Sequence, residues 1–147
     1  MIKVKDIMQI RLVTAKQDTS AAEVINILWD NYITGLPVVD DDMSLVGIVS
    51  EKDVLDTAFR ILTGSPDDPI MSKNVGDIMT KDIVYFRPDD TLADVCQCFR
   101  DNVFRRIPVV DAGKLIGLVS RKDVIHHAFY KSRENELHLS QKETAGP

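Results

Sequence analysis

The chain has 147 residues, of which 44% are hydrophobic and 28% charged, a balance typical of a folded globular protein. Its net charge of −5 and its pI near 5.1 argue against general electrostatic attraction to nucleic acid or to an anionic membrane surface. No segment has the long uncharged run of a signal peptide or of a membrane span, so we expect a cytoplasmic protein without a membrane or nucleic-acid partner.

The first half of the chain reads as strand, helix, strand, turn, strand and helix. The stretch "IRLVTA" at 10–15 supplies the first strand, and hydrophobic residues recur at helical spacing over 21–32, after a capping box of Ser20 and Glu23. Two runs, "LPVVD" and "LVGIVS", flank an acidic turn and predict a hairpin. Helical spacing then resumes over 51–62.

The second half repeats this order. The stretch "VKDIM" at 4–8 recurs as "VGDIM" at 75–79, and "GIVSEKD" at 47–53 recurs as "GLVSRKD" at 117–123. One residue is lost between these motifs, at the turn of the predicted hairpin, where a change of length is tolerated. The stretch "DIVYFR" supplies the first strand of this half. Internal duplication is therefore the organising feature of the chain.

The stretch "TGSPDDPIMSKN" contains glycine and two prolines and reads as a linker. We therefore divide the chain into a first domain at 1–62, a linker at 63–74, a second domain at 75–130 and a C-terminal tail at 131–147. Each half alone would bury only a marginal core. We predict an α/β (α+β) fold in which each half is a small sheet with two helices on one face, and the halves pack about a pseudo-twofold axis.

The sequence offers no evident catalytic or metal chemistry. Cys96 and Cys98 are two positions apart on a predicted helix and point to different faces, so they suit neither a disulfide nor a redox pair. His126, His127 and His138 lack the spacing of metal ligands. There is also no glycine-rich phosphate loop of the P-loop type. We therefore predict no metal and no enzymatic activity.

The heptad "GIVSEKD" allows two interpretations. Ser50 followed three positions later by Asp53 is a capping box that needs no ligand. A helix N-terminus also attracts phosphate, and an ionised Asp53 could accept hydrogen bonds from the hydroxyls of a ribose. Ser120 and Asp123 repeat the pair, and the glycine that opens each heptad would let a ligand approach the backbone. Spacing alone leaves cap and nucleotide site equally open.

The ordered motifs "DIM", helix, "PVVD", "GIVSEKD" or "GLVSRKD", and helix, present twice, resemble a tandem pair of CBS domains, the cystathionine-β-synthase modules that form a Bateman module. The resemblance covers Val4 to Tyr130. It implies a homodimer that binds a ligand in the cleft between its two domains and requires no cofactor. Members of the family bind AMP, ADP or ATP, some bind S-adenosylmethionine, and some bind no detectable ligand.

The resemblance also implies two related sites, each with a hydroxyl and a ribose-binding carboxylate from one heptad and with base and phosphate contacts from the other half. The first site is formed by Ser50, Asp53, Thr80, Val84, Arg105 and Arg106, and the second by Ser120, Asp123, Val13 and Thr34. The two arginines resemble a phosphate-binding pair, the alternative being an exposed basic pair on a loop. The two valines line the base pocket in the family, although strand valines are commonly core residues. Because Thr34 replaces an arginine, a neutral adenosyl group suits the second site better than a triphosphate.

Three functions remain for comparison with the structure. The leading one is a regulatory module that senses energy state or a metabolite by binding AMP, ADP or ATP and acts on an unknown partner protein. The second is a ligand-free interaction scaffold, in which Ser50 and Asp53 are only helix caps. The third is a binder of S-adenosylmethionine.

Overall fold

The computed structural model describes residues 1–64 and 73–144, in which helices and hairpin strands alternate. The helices and strands are, in chain order, a 3₁₀ turn at Val4–Asp6, α1 at Ala21–Asn31, β1 at Gly35–Val39, β2 at Leu45–Ser50, α2 at Glu51–Thr63, α3 at Val75–Ile78, α4 at Leu92–Asp101, β3 at Arg106–Asp111, β4 at Lys114–Ser120 and α5 at Arg121–Thr144. Most of the predicted linker at 63–74 lies outside the described residues. Within those residues, no helix combines the length and the apolar character needed to cross a membrane.

The architecture is the predicted mixture of helices with small sheets. Strands β1 and β2 form one antiparallel two-stranded sheet, and β3 and β4 form another. The second hairpin turns at Ala112 and Gly113, whose φ angles are 49° and 80°. Positive φ at both central residues matches the right-handed twist of the flanking strands. The first hairpin has the longer turn, so the residue lost between the repeats lies where the sequence predicts it.

The predicted first strand of each half does not form, and a proline explains why. Each segment touches its hairpin through a single parallel bridge, Ala15 to Val38 and Phe86 to Val109. The next ladder bond toward the N-terminus would need an N–H from Pro37, or from the equivalent Pro108 in the second half. Proline has no N–H to donate, so the parallel pairing ends after one bridge.

Two hydrophobic cores lie beneath the hairpins, and each takes residues from both repeats. Val4, from the first "DIM" motif, is fully buried in the core of the second half, against Leu92 and Val119. Val75, from the second motif, is fully buried in the core of the first half. Backbone hydrogen bonds fix this exchange, from Val4 to the Asp90 carbonyl at 2.8 Å and from Val75 to the Thr19 carbonyl at 2.8 Å. The repeats therefore exchange their "DIM" segments. The predicted domain boundaries, at 1–62 and 75–130, follow the order of the sequence and stay a prediction.

Helix α5 begins in the second heptad and continues for 24 residues to Thr144. Most of the segment predicted as a tail, 131–147, is therefore helical as far as the structure describes it. The helix follows directly on strand β4, as α2 follows directly on β2. This strand-to-helix junction, present once in each half, is where the candidate site residues lie.

Candidate ligand-binding site

Both heptads form helix caps. Ser50 is the N-cap of α2, and its hydroxyl accepts a hydrogen bond from the Asp53 N–H at 3.4 Å. In return, Asp53 Oδ2 accepts hydrogen bonds from the N–H of Ser50 at 2.8 Å and from its hydroxyl at 3.1 Å. Ser120 and Asp123 bond reciprocally in the same way, at 3.1 Å and 3.0 Å. The capping interpretation is thus structurally correct, and it leaves each carboxylate further capacity as an acceptor.

The exchanged segments bring one more donor to each carboxylate. The Thr80 hydroxyl donates to Asp53 Oδ1 at 3.3 Å, which joins two of the predicted site residues. The Gln9 side-chain amide donates to Asp123 Oδ2 at 3.0 Å. Sequence reasoning missed Gln9, although it lies 71 positions before Thr80, at the repeat offset. The two aspartates therefore differ in their neighbours, a hydroxyl beside one and a longer amide beside the other.

The sequence suggested that the glycines that open the heptads let a ligand approach the backbone. In the structure this space is occupied by the protein itself. A Cβ on Gly47 would collide with the Met79 sulfur and would lie 3.2 Å from the Thr80 carbonyl oxygen. A Cβ on Gly117 would lie 2.6 Å from the Met8 sulfur and 3.1 Å from the Gln9 carbonyl oxygen. The glycines are needed because the exchanged segment crosses the hairpin at close range.

A cavity of about 300 Å³ lies where the two halves meet. The first half contributes the start of β1 and the first turn of α2, and the second half contributes the loop before β3 together with Leu118. The lining residues that carry polar or charged side chains are Thr34, Ser50, Glu51, Lys52, Arg105 and Arg106. Most of the remaining lining is apolar. The cavity thus has the composition of a small-molecule site, an apolar wall with a few convergent polar groups.

The predicted site residues divide into two groups. Thr34, Ser50, Arg105 and Arg106 line the cavity. The others are not part of the lining: Asp53, Thr80, Val13, Val84, Ser120 and Asp123. Of these, Asp53 is bonded both to the lining residue Ser50 and to Thr80. Val13 and Val84 are 36% and 46% exposed, so the alternative that these valines are core residues is wrong.

The cavity carries more positive than negative charge. Arg105, Arg106 and Lys52 face it together with a single acidic residue, Glu51. This local excess occurs in a chain whose net charge is −5. Sequence reasoning did not identify Lys52 and Glu51 as site residues, although both lie inside the heptad "GIVSEKD". The arrangement favours an anionic ligand, because guanidinium groups bind phosphate or carboxylate oxygens through charge-assisted hydrogen bonds.

The pseudo-symmetric place in the first half lacks this charge. By the repeat offset, Arg105 and Arg106 correspond to Thr34 and Gly35. Both pairs of positions line the same cavity, so the second half contributes two arginines to it where the first half contributes a hydroxyl and a glycine. The two halves of the cleft thus differ in electrostatics despite their common fold.

Comparison with known proteins gives consistent results for family and fold. The model of the CBS domain matches residues 4–60 and again 75–130. The CBS domain-containing protein CBSX2, chloroplastic, from Arabidopsis thaliana is 35% identical over an alignment of 145 residues, which covers 82% of this chain and 60% of CBSX2. The chain thus spans less than two thirds of that relative.

Two solved structures share the fold. A crystal structure of CBSX2 in complex with AMP superposes with a TM-score of 0.80 at 37% identity and covers 90% of this chain and 99% of that one. The CBS domain pair of protein MJ0100, in complex with 5-methylthioadenosine and S-adenosyl-L-methionine, superposes with a TM-score of 0.75 at 26% identity and covers 89% and 98% of the two chains. Both structures contain ligands built on adenosine.

Proposed function

Since the chain belongs to the CBS-domain family as a tandem pair, we propose that it is a regulatory module that binds AMP, or a related adenine nucleotide, in the cleft on the Asp53 side. One observation carries this proposal: Ser50, Arg105 and Arg106, from opposite halves, line the same cavity, with Asp53 one helical turn away. Nucleotide binding would bridge the halves and so favour one of their arrangements over another.

In this proposal each part of AMP is assigned its own residues. The phosphate would bind Arg105 and Arg106, assisted by Lys52. The ribose hydroxyls would donate to Asp53 in place of Thr80. The base would lie against the exposed Val84. A cavity of about 300 Å³ is at the lower end of the range for small-molecule sites, so a monophosphate fits it better than a triphosphate.

The Asp123 side suits a different ligand. Ser120, Asp123 and Val13 lie outside the cavity that Thr34 and Gly35 line together with the arginines. This side has no arginine pair of its own at the repeat-equivalent positions, so it would take a neutral adenosyl group in preference to a nucleotide. The MJ0100 pair, which binds S-adenosyl-L-methionine and 5-methylthioadenosine, makes S-adenosylmethionine the second candidate to test. We propose no enzymatic activity and no required cofactor, so AMP or ATP incubated with the protein should be recovered unchanged.

We also propose a homodimer. The outer faces of α2 and α5 carry matching apolar residues, Leu55 with Ile125 and Phe59 with Phe129, and all four are between 57% and 67% exposed. Each pair is 70 positions apart, so the stripe repeats about the pseudo-twofold axis. Exposed apolar surface of this kind typically marks an interface. We propose a cytoplasmic location, which subcellular fractionation would test.

Thermal unfolding with AMP, ADP, ATP and S-adenosylmethionine tests the proposal. A ligand at a hundredfold excess over its Kd stabilises the folded state by about 2.7 kcal/mol, which raises the Tm of a domain of this size by several degrees. We expect the largest shift with AMP. A shift only with S-adenosylmethionine would favour the second candidate, and no shift with any ligand would favour a ligand-free scaffold.

A further inference from the structure

Arg121, the first residue of α5, is bonded to the end of another helix. Its Nε donates to the Phe104 carbonyl at 3.0 Å, and its Nη2 donates to the carbonyls of Asn102 at 2.6 Å and Phe99 at 3.2 Å. The guanidinium carbon also lies 5.9 Å from the centre of the Phe99 ring. One side chain thus holds three carbonyls over the segment where α4 ends and the next loop begins.

The first half shows that this arrangement is not required by the fold. The C-cap of helix α1 is Tyr32, which adopts a left-handed conformation with φ of 53° and donates its N–H to the carbonyls of Leu28 and Trp29. Helix α4 ends one residue earlier by the repeat offset, and its C-cap, Asn102, is extended, with φ of −134°. The residue equivalent to Arg121 is Glu51, whose carboxylate cannot donate. In both halves an asparagine side chain bonds one carbonyl of the last turn, from Asn31 to Ile27 and from Asn102 to Cys98. Beyond that, the first half caps its helix through the backbone, and the second half does so through Arg121.

The segment held by Arg121 leads directly into the arginine pair of the cavity. Phe104 immediately precedes Arg105, and the backbone N–H of Arg121 donates to the Arg105 carbonyl at 3.0 Å. The side chain and the backbone of one residue thus fix two successive peptide units of this loop. The guanidinium of Arg121 is directed at the α4 carbonyls and is not part of the cavity lining.

We propose that Arg121 is a positioning residue for the phosphate site: it fixes the loop so that Arg105 and Arg106 are already in position when a phosphate binds. This rests on the proposed function. A pair ordered before binding loses less conformational entropy when the ligand arrives, so the affinity for a phosphate is higher than with a mobile loop. The effect should depend on the phosphate, because adenosine has no group for the arginine pair to bind.

The test is calorimetric titration of the full chain with AMP and with adenosine. Arg121→Gln removes the forked donor, and Arg121→Lys keeps the charge but loses the fork. Arg100→Gln is the matched control, because it removes an arginine from the last turn of α4. We expect Arg121→Gln to weaken AMP binding about tenfold while adenosine binding changes less than about twofold, Arg121→Lys to be intermediate, and Arg100→Gln to match the wild type.

Equal weakening for AMP and adenosine, or unchanged AMP binding in Arg121→Gln, would overturn the proposal. If Arg121→Gln does not fold, Arg121→Lys provides the same comparison. If the wild type binds neither ligand, the proposed function fails. Amide hydrogen exchange over 102–106 then tests separately whether Arg121 fixes the loop. Exchange there should be faster in Arg121→Lys than in Arg100→Gln, and equal rates would show that Arg121 does not fix the loop.

Discussion

The hydroxyl of Thr80 donates to the carboxylate of Asp53 at 3.3 Å, although the two residues are 27 positions apart and belong to different repeats. The contact exists because the second "DIM" segment crosses into the first half, where the backbone of Thr80 pairs with Ile48. A ligand that bonds Asp53 in place of Thr80 would therefore replace a contact between the two repeats. The contacts of Asp53 therefore depend on how the two halves are arranged.

Asp53→Asn should abolish most of the AMP response at little cost in stability. The amide oxygen of asparagine can still accept the Ser50 N–H and maintain the helix cap, but it loses the charge that favours donation by two ribose hydroxyls. We expect AMP affinity to fall at least about tenfold, consistent with the loss of a charge-assisted hydrogen bond. Calorimetric titration measures this.

Asp123→Asn is the matched control for that variant, since it changes the same cap in the other repeat. We expect it to bind AMP as the wild type does. If both variants lost AMP binding equally, the two sides of the cleft would both be nucleotide sites. If neither lost it, the aspartates would be caps only.

Replacing Arg105 and Arg106 with glutamine should weaken AMP binding and leave adenosine binding nearly unchanged. The reason is that both residues line the cavity and their guanidinium groups would bond phosphate oxygens, each for about 1.5–3 kcal/mol. Arg87, an exposed arginine outside the lining, provides the control Arg87→Gln. Equal losses for AMP and adenosine would place the arginines away from the phosphate.

Gly47→Ala should destabilise the fold, because its Cβ would collide with Met79. We expect a loss of about 1–3 kcal/mol in the free energy of unfolding, as for other overpacked sites. Shortening the partner in Gly47→Ala with Met79→Ala should recover part of this loss, and a double-mutant cycle measures the coupling. Additive losses would mean that the two residues are not in contact.

Phe59→Glu combined with Phe129→Glu should yield a monomer. Both side chains are exposed by about two thirds, so the substitutions remove apolar area from the proposed interface without leaving a charge buried in the core. Sedimentation velocity should show a dimer for the wild type and a monomer for the variant, with the fold intact by circular dichroism. A wild-type monomer at all concentrations would contradict the dimer.

The repeat, the hairpins and the capped helices could be predicted from the sequence, because each depends on neighbouring residues. The failures have longer-range causes. The segment at 10–15 has strand composition, but its pairing ends because Pro37, on another strand, has no N–H to donate. The hydrogen bonds from the Arg121 side chain likewise depend on how α4 ends, which no sequence pattern around Arg121 reveals.

The candidate site was predicted in part. Ser50, Thr80 and Asp53 do lie together, and the arginine pair does line a cavity with Ser50. The glycines were misread because the backbone that approaches them is that of the exchanged segment. Its crossing follows from the tertiary packing of Met8 and Met79, which residue spacing does not encode.

The exchange of the "DIM" segments has a consequence for how such a chain could arise. A single repeat such as 1–64 contains Val4 but lacks the valine that completes its own core, which is Val75 of the other repeat. Two identical single repeats could satisfy each other by reciprocal insertion, as in a domain-swapped dimer. Joining them end to end would then turn an intermolecular exchange into an intramolecular one, and would free the two copies to diverge, one keeping Thr34 and the other Arg105.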